Sequence, residues 1–456
     1  MSWPRALFIA ALLFAPSAVV APLFAQRTGS SPVLATPPAA AQGVNGHLDP
    51  DAATRAYLAT LPRDVKARSD AYNEGVYWLT LWDILISSAV FILLLATGVS
   101  SRMRDRAERF TRVRMLQNTL YWAQFVVVVT LLTLPWAFYE TFVREHSYSL
   151  SNLTFAGWMS EQGKGFLLAL VLGTLFVAVP YAFARHFLKN WWKWGAAAAI
   201  GVEFVLLVIG PIVITPIFNS PTKLADARIV EPILRLARQN GIATTDVWEI
   251  DASKQSKRIN AFVSGGLGTE RITLNDNLLN RASLPEIEAV MGHEMGHYVM
   301  NHVYKGFMQF AMLTVIGFAL IALLFERLRA RYEVTWKVRA VDDIAGIPLF
   351  ALLFGAYFFV ITPVTNTLIR TQEYEADLFG LNTARQPDGF AQISVKLAET
   401  RKLEPGAWEE RIFYDHPSGR TRIYTAMRWK AENIPASSEG ASRATTPSAS
   451  SASGSP

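Results

Sequence analysis

The residues best suited to do chemistry are two histidines and a glutamate in the run His-Glu-Met-Gly-His, which extends from His293 to His297. On a helix, residues four apart project from one face, so both imidazoles can bind a single metal ion. Glu294 stands beside them, where its carboxylate can take a proton from a water that zinc has made acidic. The spacing therefore predicts a zinc site that hydrolyses peptide bonds.

A catalytic zinc site usually has three protein ligands, so two histidines leave it incomplete. The sequence contains no cysteine, which leaves His, Asp or Glu for the third position. Glu373 and Asp377 lie four residues apart, so one can bind the metal while the other accepts the N–H of a liganding histidine. Glu375 points away from their shared face and is the weaker candidate. His302 follows His293 by nine residues, which on one continuous helix places it on the opposite face in a structural role.

Two further segments contain residues that could meet a substrate. His416, in Tyr-Asp-His-Pro, is either an ordinary loop residue or, if it reaches the zinc, a group that stabilises the oxyanion on the scissile carbonyl. Asn260, Ala261 and Phe262 precede a glycine-rich turn and predict an edge strand along which an extended peptide could pair. An internal strand of a small sheet is the alternative interpretation.

The elements that must position these residues are also visible in the sequence. Ser283 and Glu286 have the spacing of a capping box, which predicts that the metal-binding helix begins near Leu284. An amphipathic helix is predicted at Ala227–Gln239, and β-type runs are predicted at 246–250, 259–263 and 271–274. We therefore expect a small α+β metallopeptidase domain.

Composition places the rest of the chain in a membrane. Of the 456 residues, 51% are hydrophobic and only 18% are charged, whereas soluble domains carry about 25% charged residues. This balance argues against a wholly soluble, disordered or nucleic-acid-binding chain. Six apolar stretches are long enough to cross a bilayer: 79–98, 120–140, 165–185, 195–217, 307–325 and 344–363. Residues 6–25 are either a seventh span or a cleaved secretory signal.

The basic residues indicate which side of the membrane each loop occupies. Arginines and lysines concentrate in the loops 101–117, 185–194 and 326–343, which fall on one side if the six spans alternate. Short loops rich in Lys and Arg stay in the cytoplasm. This pattern predicts that both polar domains lie on the opposite, exported face.

The domain organisation that follows has seven parts. They are a signal-like or first transmembrane segment at 1–25, a flexible linker and amphipathic approach at 26–71, a membrane domain of four spans at 72–217, the metallopeptidase domain at 218–304, two further spans at 305–364, the C-terminal part of the catalytic domain at 365–433, and a disordered tail at 434–456.

Several separate motifs between residues 72 and 429 resemble the membrane-embedded CAAX prenyl protease family of zinc metallopeptidases, the sterile-24 type. These motifs are Leu134-Pro-Trp136 with Tyr139-Glu-Thr-Phe142, Asn260-Ala-Phe262, Gly292-His-Glu-Met-Gly-His297, Arg370 with Glu373 and Ala376-Asp377, and His416-Pro417 with Arg422. The resemblance implies an all-α polytopic membrane protein, with about seven transmembrane helices around an intramembrane chamber and the small zinc domain at one end.

The resemblance also implies a role for each site residue. His293, His297 and Glu373 would bind one zinc ion per chain, and Glu294 would be the catalytic base. Asp377 would support a ligand, His416 and Arg422 would line the site, and Asn260 would belong to the strand that pairs with substrate. The catalytic candidates are thus Glu294, Asp377 and His416, and the substrate-binding candidates are Asn260, Ala261, Phe262 and Arg422.

The chain departs from the family pattern in its orientation and its N-terminus. Eukaryotic members face their catalytic domain to the cytosol, whereas the arginine distribution here favours the exported, periplasmic side of a bacterial inner membrane. Bacteria generally lack protein prenylation, so we expect peptide or membrane-protein substrates and a role in envelope quality control, with no nucleic acid and no obligate protein partner. The alternatives are a non-catalytic metal-binding scaffold or transporter that keeps the site, or a substrate-holding partner of another protease.

Overall fold

The structure is a computed structural model that describes residues 37–42, 48–265 and 270–434. The segment 6–25 and the tail from 435 onward, for which a span or signal and a disordered end are predicted, lie outside these residues. The main helices are α1 (Pro50–Ala59), α2 (Arg63–Ala96), α3 (Val99–Phe110), α4 (Arg114–Phe138), α5 (Phe155–His186), α6 (Trp191–Ile209), α7 (Ala227–Gln239), α8 (Asp276–Arg281), α9 (Leu284–Val299), α10 (His302–Arg331), α11 (Ile347–Val360), α12 (Thr362–Ala384), α13 (Pro387–Lys396), α14 (Ala407–Phe413) and α15 (Gly419–Asn433).

Within the described residues, four helices are long and apolar enough to cross a membrane. They are α2, the continuous helix Arg114–Ser147 that contains α4, the segment Leu188–Val208 that contains most of α6, and α10. Helices α11 and α12 would form a fifth span if the pair, bent by 55°, is counted as one. The predicted stretch 165–185 lies inside α5. The protein is therefore multi-pass, but the predicted number of seven spans is not confirmed.

Two acidic residues inside the spans, Asp83 and Glu203, have partners on other helices, which lowers the cost of placing them in lipid. The indole Nε1 of Trp136 on α4 donates to Asp83 Oδ1 on α2 over 2.6 Å. The hydroxyl of Thr314 on α10 donates to Glu203 Oε1 on α6 over 3.0 Å. Each bond links two membrane helices through a carboxylate that would otherwise be costly to bury.

A four-stranded mixed sheet forms the β part of the metallopeptidase region. Its strands are β1 (Thr222–Lys223), β2 (Val247–Ile250), β3 (Ala261–Ser264) and β4 (Arg271–Asn275), in the spatial order β1-β2-β4-β3. The β2–β4 pair is parallel, while β1–β2 and β3–β4 are antiparallel. Strand β3 is therefore at one edge of the sheet, which is one of the two interpretations that the sequence left open.

One apolar core joins this sheet to the helices on either side. It contains Ile233 from α7, Val247 and Ile272 from the sheet, and Met291 and Met295 from α9, all of them buried. Because Met291 and Met295 lie four apart, they occupy one face of α9, and neighbouring positions of the helix are left to carry other groups. The sheet thus fixes the rotation of α9 about its own axis.

The N-terminus of α9 begins at Leu284, as the capping box predicts. The backbone N–H of Ser283 donates to Glu286 Oε2 over 2.6 Å. Lys396 on α13 places its ammonium 2.8 Å from the same oxygen, and both side chains are buried. The buried ion pair therefore anchors the start of the helix that contains the two metal-binding histidines.

Candidate metal centre

The side chains of His293, His297 and Glu373 converge on one point. The two Nε2 atoms of the histidines are 3.1 Å apart. Glu373 places Oε2 at 3.3 Å from His293 Nε2 and Oε1 at 3.5 Å from His297 Nε2. The sequence prediction that these three residues meet agrees with this geometry.

The three residues fit a zinc ion. Tetrahedral zinc, with bonds of about 2.0–2.2 Å to nitrogen or oxygen, separates neighbouring ligand atoms by roughly 3.3–3.6 Å. The three measured separations match or approach that range, and the donor set of two imidazoles and one carboxylate is that of a catalytic zinc site. His293 and Glu373 are also buried, which holds their side chains in place.

Two helices bring the three ligands together. Helix α9 presents His293 and His297 one turn apart, and α12 crosses it and presents Glu373. At the crossing the backbones are close: a Cβ added to Gly380 of α12 would lie 2.8 Å from the backbone nitrogen of His293. A Cβ on Gly292 would lie 3.0 Å from the Gly380 carbonyl oxygen. Gly380 therefore has no room for a side chain unless the helices move apart, and Gly292 has very little.

Asp377, one turn beyond Glu373 on α12, lies behind His293. Its Oδ1 is 2.8 Å from His293 Nδ1, although the ring N–H does not point straight at that oxygen. Arg422 donates from Nε to Asp377 Oδ2 over 2.9 Å and from Nη2 to Glu373 Oε2 over 3.3 Å. The guanidinium of Arg422 therefore holds both carboxylates of α12 in position.

His416 is also brought into the site. Its Nε2 lies 3.2 Å from Glu373 Oε2, and its Nδ1 lies 2.8 Å from Asp415 Oδ1. The segment that contains it leads into α15, whose first turn contains Arg422. One loop-and-helix unit therefore contributes two of the predicted site residues.

The surroundings shift the acidity of the site residues. Burial raises the pKa of Glu294 to about 7, and the negative charge of Glu373 adds to this effect. Burial opposes a charge on His293, but the carboxylates of Asp377 and Glu373 outweigh it and raise the pKa of His293 to about 9. Burial and the neighbouring His293 lower the pKa of His297 to about 3. Glu294 is therefore balanced between its acid and base forms near neutral pH.

The position expected for His302 is wrong. Helix α9 ends at Val299, and Asn301 has a left-handed backbone with φ of 57°, so the helix is not continuous to His302. The turn brings His302, the first residue of α10, back beneath the metal-binding face, where its Nδ1 lies 3.0 Å from His297 Nδ1. Asparagine is among the residues that adopt this conformation most readily, so Asn301 was a signal for the end of the helix.

The segment predicted to meet the substrate lies against α9 at the edge of the sheet. Ala261 and Phe262 belong to β3, and Asn260 precedes it with its backbone N–H bonded to Asn275 Oδ1 over 3.1 Å. Two residues earlier, Arg258 donates to the hydroxyl of Tyr72 over 2.7 Å. The edge strand is thus tied both to β4 and to the membrane helix α2.

Comparison with known proteins identifies the family. Residues 53–220 match the model described as CAAX prenyl protease N-terminal, five membrane helices, and residues 223–430 match Peptidase family M48. The uncharacterised metalloprotease YhfN of Bacillus subtilis is 31% identical over 81% of this chain and 86% of its own. The chain belongs to peptidase family M48. This M48 peptidase is a multi-pass membrane metalloendopeptidase, as the sequence motifs predict.

More distant relatives of this M48 peptidase include eukaryotic enzymes. CAAX prenyl protease 1 of Saccharomyces cerevisiae is 26% identical and matches over 66% of this chain and 70% of its own. The crystal structure of S. mikatae Ste24p superposes with a TM-score of 0.67 at 22% identity, over 80% of this chain and 90% of that one. The second comparison shows that the fold is shared.

Replacing Gly380 with alanine is expected to separate α12 from α9 in this M48 peptidase, because the new Cβ would collide with the His293 backbone. We expect a loss of stability of about 1–3 kcal/mol and weaker metal binding, since Glu373 moves with α12. Thermal unfolding and metal content measure both effects. In the control Gly306→Ala, the nearest atom to the new Cβ is Gln372 Oε1 at 3.9 Å, so that variant should be as stable as the parent. Equal behaviour of the two variants would contradict the argument.

Proposed function

We propose that this chain is a zinc-dependent membrane endopeptidase in which His293, His297 and Glu373 bind one zinc ion and Glu294 is the general base. The observation that carries the proposal is the convergence of three side chains: the two histidine Nε2 atoms are 3.1 Å apart, and the Glu373 carboxylate places Oε2 at 3.3 Å from His293 Nε2 and Oε1 at 3.5 Å from His297 Nε2. Their separations and chemistry suit zinc, and the base stands next to the first ligand in the sequence.

The chain's own residues carry the proton transfers of this proposal. A bound zinc ion supplies Lewis acidity, which polarises the scissile carbonyl and makes a water molecule acidic. Glu294 accepts the proton of that water on its carboxylate and then delivers it to the leaving amine. A pKa of about 7 suits both tasks, because the group must be a base first and an acid afterwards.

Two other residues act on the charges that develop around the scissile bond. His416 is held at Nδ1 by the Asp415 carboxylate and presents Nε2 toward the metal ligands, where the doubly protonated ring can donate from Nε2 to the oxyanion of the carbonyl. Asp377 orients His293 from behind. Arg422 acts mainly by holding Asp377 and Glu373, so its part in substrate binding is indirect in this proposal.

The edge of β3 is the proposed platform for the substrate backbone. The Asn275 N–H donates to the Asn260 carbonyl over 3.0 Å, so Asn260 and Phe262 direct their backbone groups toward β4. Ala261 and Val263 then direct theirs to the free edge, where an extended peptide could pair. The apolar core behind β3 fixes this edge relative to α9.

Replacing Val263 with proline removes one N–H from the free edge and leaves the bonds to β4 intact. We expect KM for a peptide to rise about three- to tenfold, which is the value of one hydrogen bond, with kcat little changed. Val263→Ala is the control, because it trims the same side chain and keeps the N–H. A rise in KM of the same size in both variants would show that packing, and not backbone pairing, is responsible.

We further propose that the catalytic domain faces the periplasm of a bacterium and that the substrates are membrane or envelope proteins. The concentration of arginines in three loops on one side of the spans supports this orientation. A reporter fused after Asn433 and assayed on both faces of the membrane tests it. Activity of a cytoplasmic reporter at that position would contradict the proposed orientation.

Digestion of a peptide library by the purified full chain tests the proposed activity. We expect cleavage that disappears when a chelator removes the metal and returns when zinc is added. Cleavage that survives complete removal of zinc would contradict the proposal. Zinc binding without cleavage of any peptide or membrane-protein substrate would favour the non-catalytic scaffold or transporter.

A further inference from the structure

We infer that His302 and Glu375 form an outer chain that orients His297 for the metal, an inference that rests on the proposed zinc site. His297 Nδ1 lies 3.0 Å from His302 Nδ1, and His302 Nε2 lies 3.0 Å from Glu375 Oε2. His302 is 3% exposed, so its ring is held by packing as well as by these bonds. Both residues are positioning residues, since neither is one of the three proposed zinc ligands.

When the metal is bound, the chemistry of the imidazole ring allows only one arrangement of protons along the series His297, His302 and Glu375. His297 presents Nε2 to the other ligands, so its proton is on Nδ1 and points toward His302. His302 Nδ1 must then accept, which places the proton of His302 on Nε2, opposite the Glu375 carboxylate. Glu375 therefore selects the tautomer of His302, and His302 in turn selects the tautomer of His297.

Helix α12 supports both metal-binding histidines in this way, but by two different routes. Asp377 reaches His293 Nδ1 directly and its side chain is 1% exposed, whereas the side chain of Glu375 is 43% exposed. Glu375 also lies 3.3 Å from the ammonium of Lys305. Alternate positions of one helix, Glu373, Glu375 and Asp377, thus supply a ligand and the two outer supports.

The positioning role of His302 and Glu375 is tested by two measurements. They are the zinc affinity, from competition with a chelator, and the absorption spectrum of the cobalt-substituted protein. His302→Phe keeps a planar aromatic ring, slightly larger than imidazole, and removes both nitrogens, and we expect zinc affinity to fall about 10- to 100-fold. His302→Asn should recover part of that loss, because its Oδ1 can accept from His297. Glu375→Ala, at an exposed position, should give a smaller loss of the same kind, and the cobalt spectrum should change in each weakened variant.

Gln372→Ala is the matched control for these variants. Gln372 on α12 donates to Gln309 on α10 over 2.7 Å. The variant therefore disturbs the same pair of helices without altering His302 or Glu375. The inference would be overturned if His302→Phe had the zinc affinity and cobalt spectrum of the parent. If that variant does not fold, the same result for Glu375→Ala would overturn it. A parent protein that binds no zinc would contradict both the proposed function and the role inferred for His302 and Glu375.

A second inference comes from the opposite, arginine-rich end of the membrane helices. We propose that a cavity there binds the phosphate of an anionic phospholipid. The cavity has a volume of about 170 Å³ and lies between α3, the first turns of α4, the end of α5 and the segment before α11. Its lining includes Arg104, Glu108, Arg114, Asn118, Arg185, Arg339, Asp342 and Asp343.

The lining of the cavity contains one more arginine than it has acidic residues. Each acid has an arginine partner: Glu108 pairs with Arg339, Asp342 with Arg185 and Asp343 with Arg104. Among the residues that the structure describes, Arg114 has no ionic partner and the side-chain amide of Asn118 has no hydrogen bond. Asn118 exposes only 7% of its surface, and its side chain borders the cavity. A guanidinium without an ionic partner, next to an amide that borders the same cavity, suits an anion.

The surroundings of the cavity favour a lipid over a soluble phosphate. The turn between α3 and α4 exposes a set of large apolar side chains beside its arginines: Phe110, Val113, Met115 and Leu116. Exposed apolar groups interleaved with arginine are typical of segments that lie at the bilayer surface, where basic pockets between helices take anionic headgroups. The phosphate therefore comes with its acyl chains in the adjoining bilayer.

Binding of phosphatidylglycerol and of phosphatidylcholine to the full chain in detergent, counted by native mass spectrometry, tests the site. We expect phosphatidylglycerol to be retained preferentially, and Arg114→Gln to weaken that retention about fivefold. Arg112→Gln, on the same turn but outside the cavity, is the matched control. Equal retention of both lipids, an equal effect of the two variants, or full competition by soluble glycerol phosphate would each overturn the proposal.

Discussion

Replacing Glu294 with glutamine is expected to lower kcat/KM for peptide cleavage by about 10²- to 10⁴-fold, the usual contribution of a general base. Glutamine has nearly the same shape but cannot take the proton of the attacking water. It also cannot return a proton to the leaving amine, so both steps of the proposed reaction suffer. The measurement is the rate of hydrolysis of one defined peptide by parent and variant.

Two further measurements show whether the loss in Glu294→Gln comes from the chemistry alone. Zinc content and thermal unfolding should match the parent, since Glu294 is not one of the ligand atoms that converge. Glu288→Gln makes the same change on the same helix, at a residue whose contact is with Gln386, and should leave hydrolysis unchanged. A Glu294→Gln variant that retains the parent's rate would remove Glu294 from the reaction.

The second large effect is expected from Glu373→Ala. Removing a ligand should weaken zinc binding more than the roughly 10- to 100-fold that is typical when an outer partner is lost. Hydrolysis should fall in proportion at limiting zinc. The same substitution takes away the oxygen that both His416 and Arg422 approach, so added zinc should restore the rate only in part.

The exposed neighbour Tyr374 provides a control for this change, because Tyr374→Ala alters the same helix without removing a ligand. It should bind zinc as the parent does. If Glu373→Ala holds zinc with undiminished affinity, the third ligand has been assigned to the wrong residue.

Local patterns explain why much of the candidate site was predictable from the sequence. The capping box at Ser283 and Glu286 fixes the start of α9 through contacts within one turn, and the amphipathic pattern of α7 gives both of its ends, Ala227 and Gln239. Metal ligands one turn apart, such as His293 and His297, depend on the same short-range geometry. Chemistry then limited the third ligand, because the chain has no cysteine.

What the sequence did not reveal depends on where helices break and cross. His302 was placed on the wrong face because a left-handed residue, Asn301, ends one helix and turns the chain before the next. The partners of Arg422, and the cavity at the arginine-rich end, involve residues far apart in sequence. Hydropathy finds apolar stretches, but it does not say whether a bent pair such as α11 and α12 crosses the membrane once.

The most direct test of the central claim is an anomalous difference map, recorded at the zinc absorption edge from crystals of the full chain. The account predicts one peak per chain, about 2.0–2.2 Å from Nε2 of His293, Nε2 of His297 and a carboxylate oxygen of Glu373. A peak that lies outside bonding distance of any one of these three residues, or an active enzyme whose crystals show no peak, would contradict it.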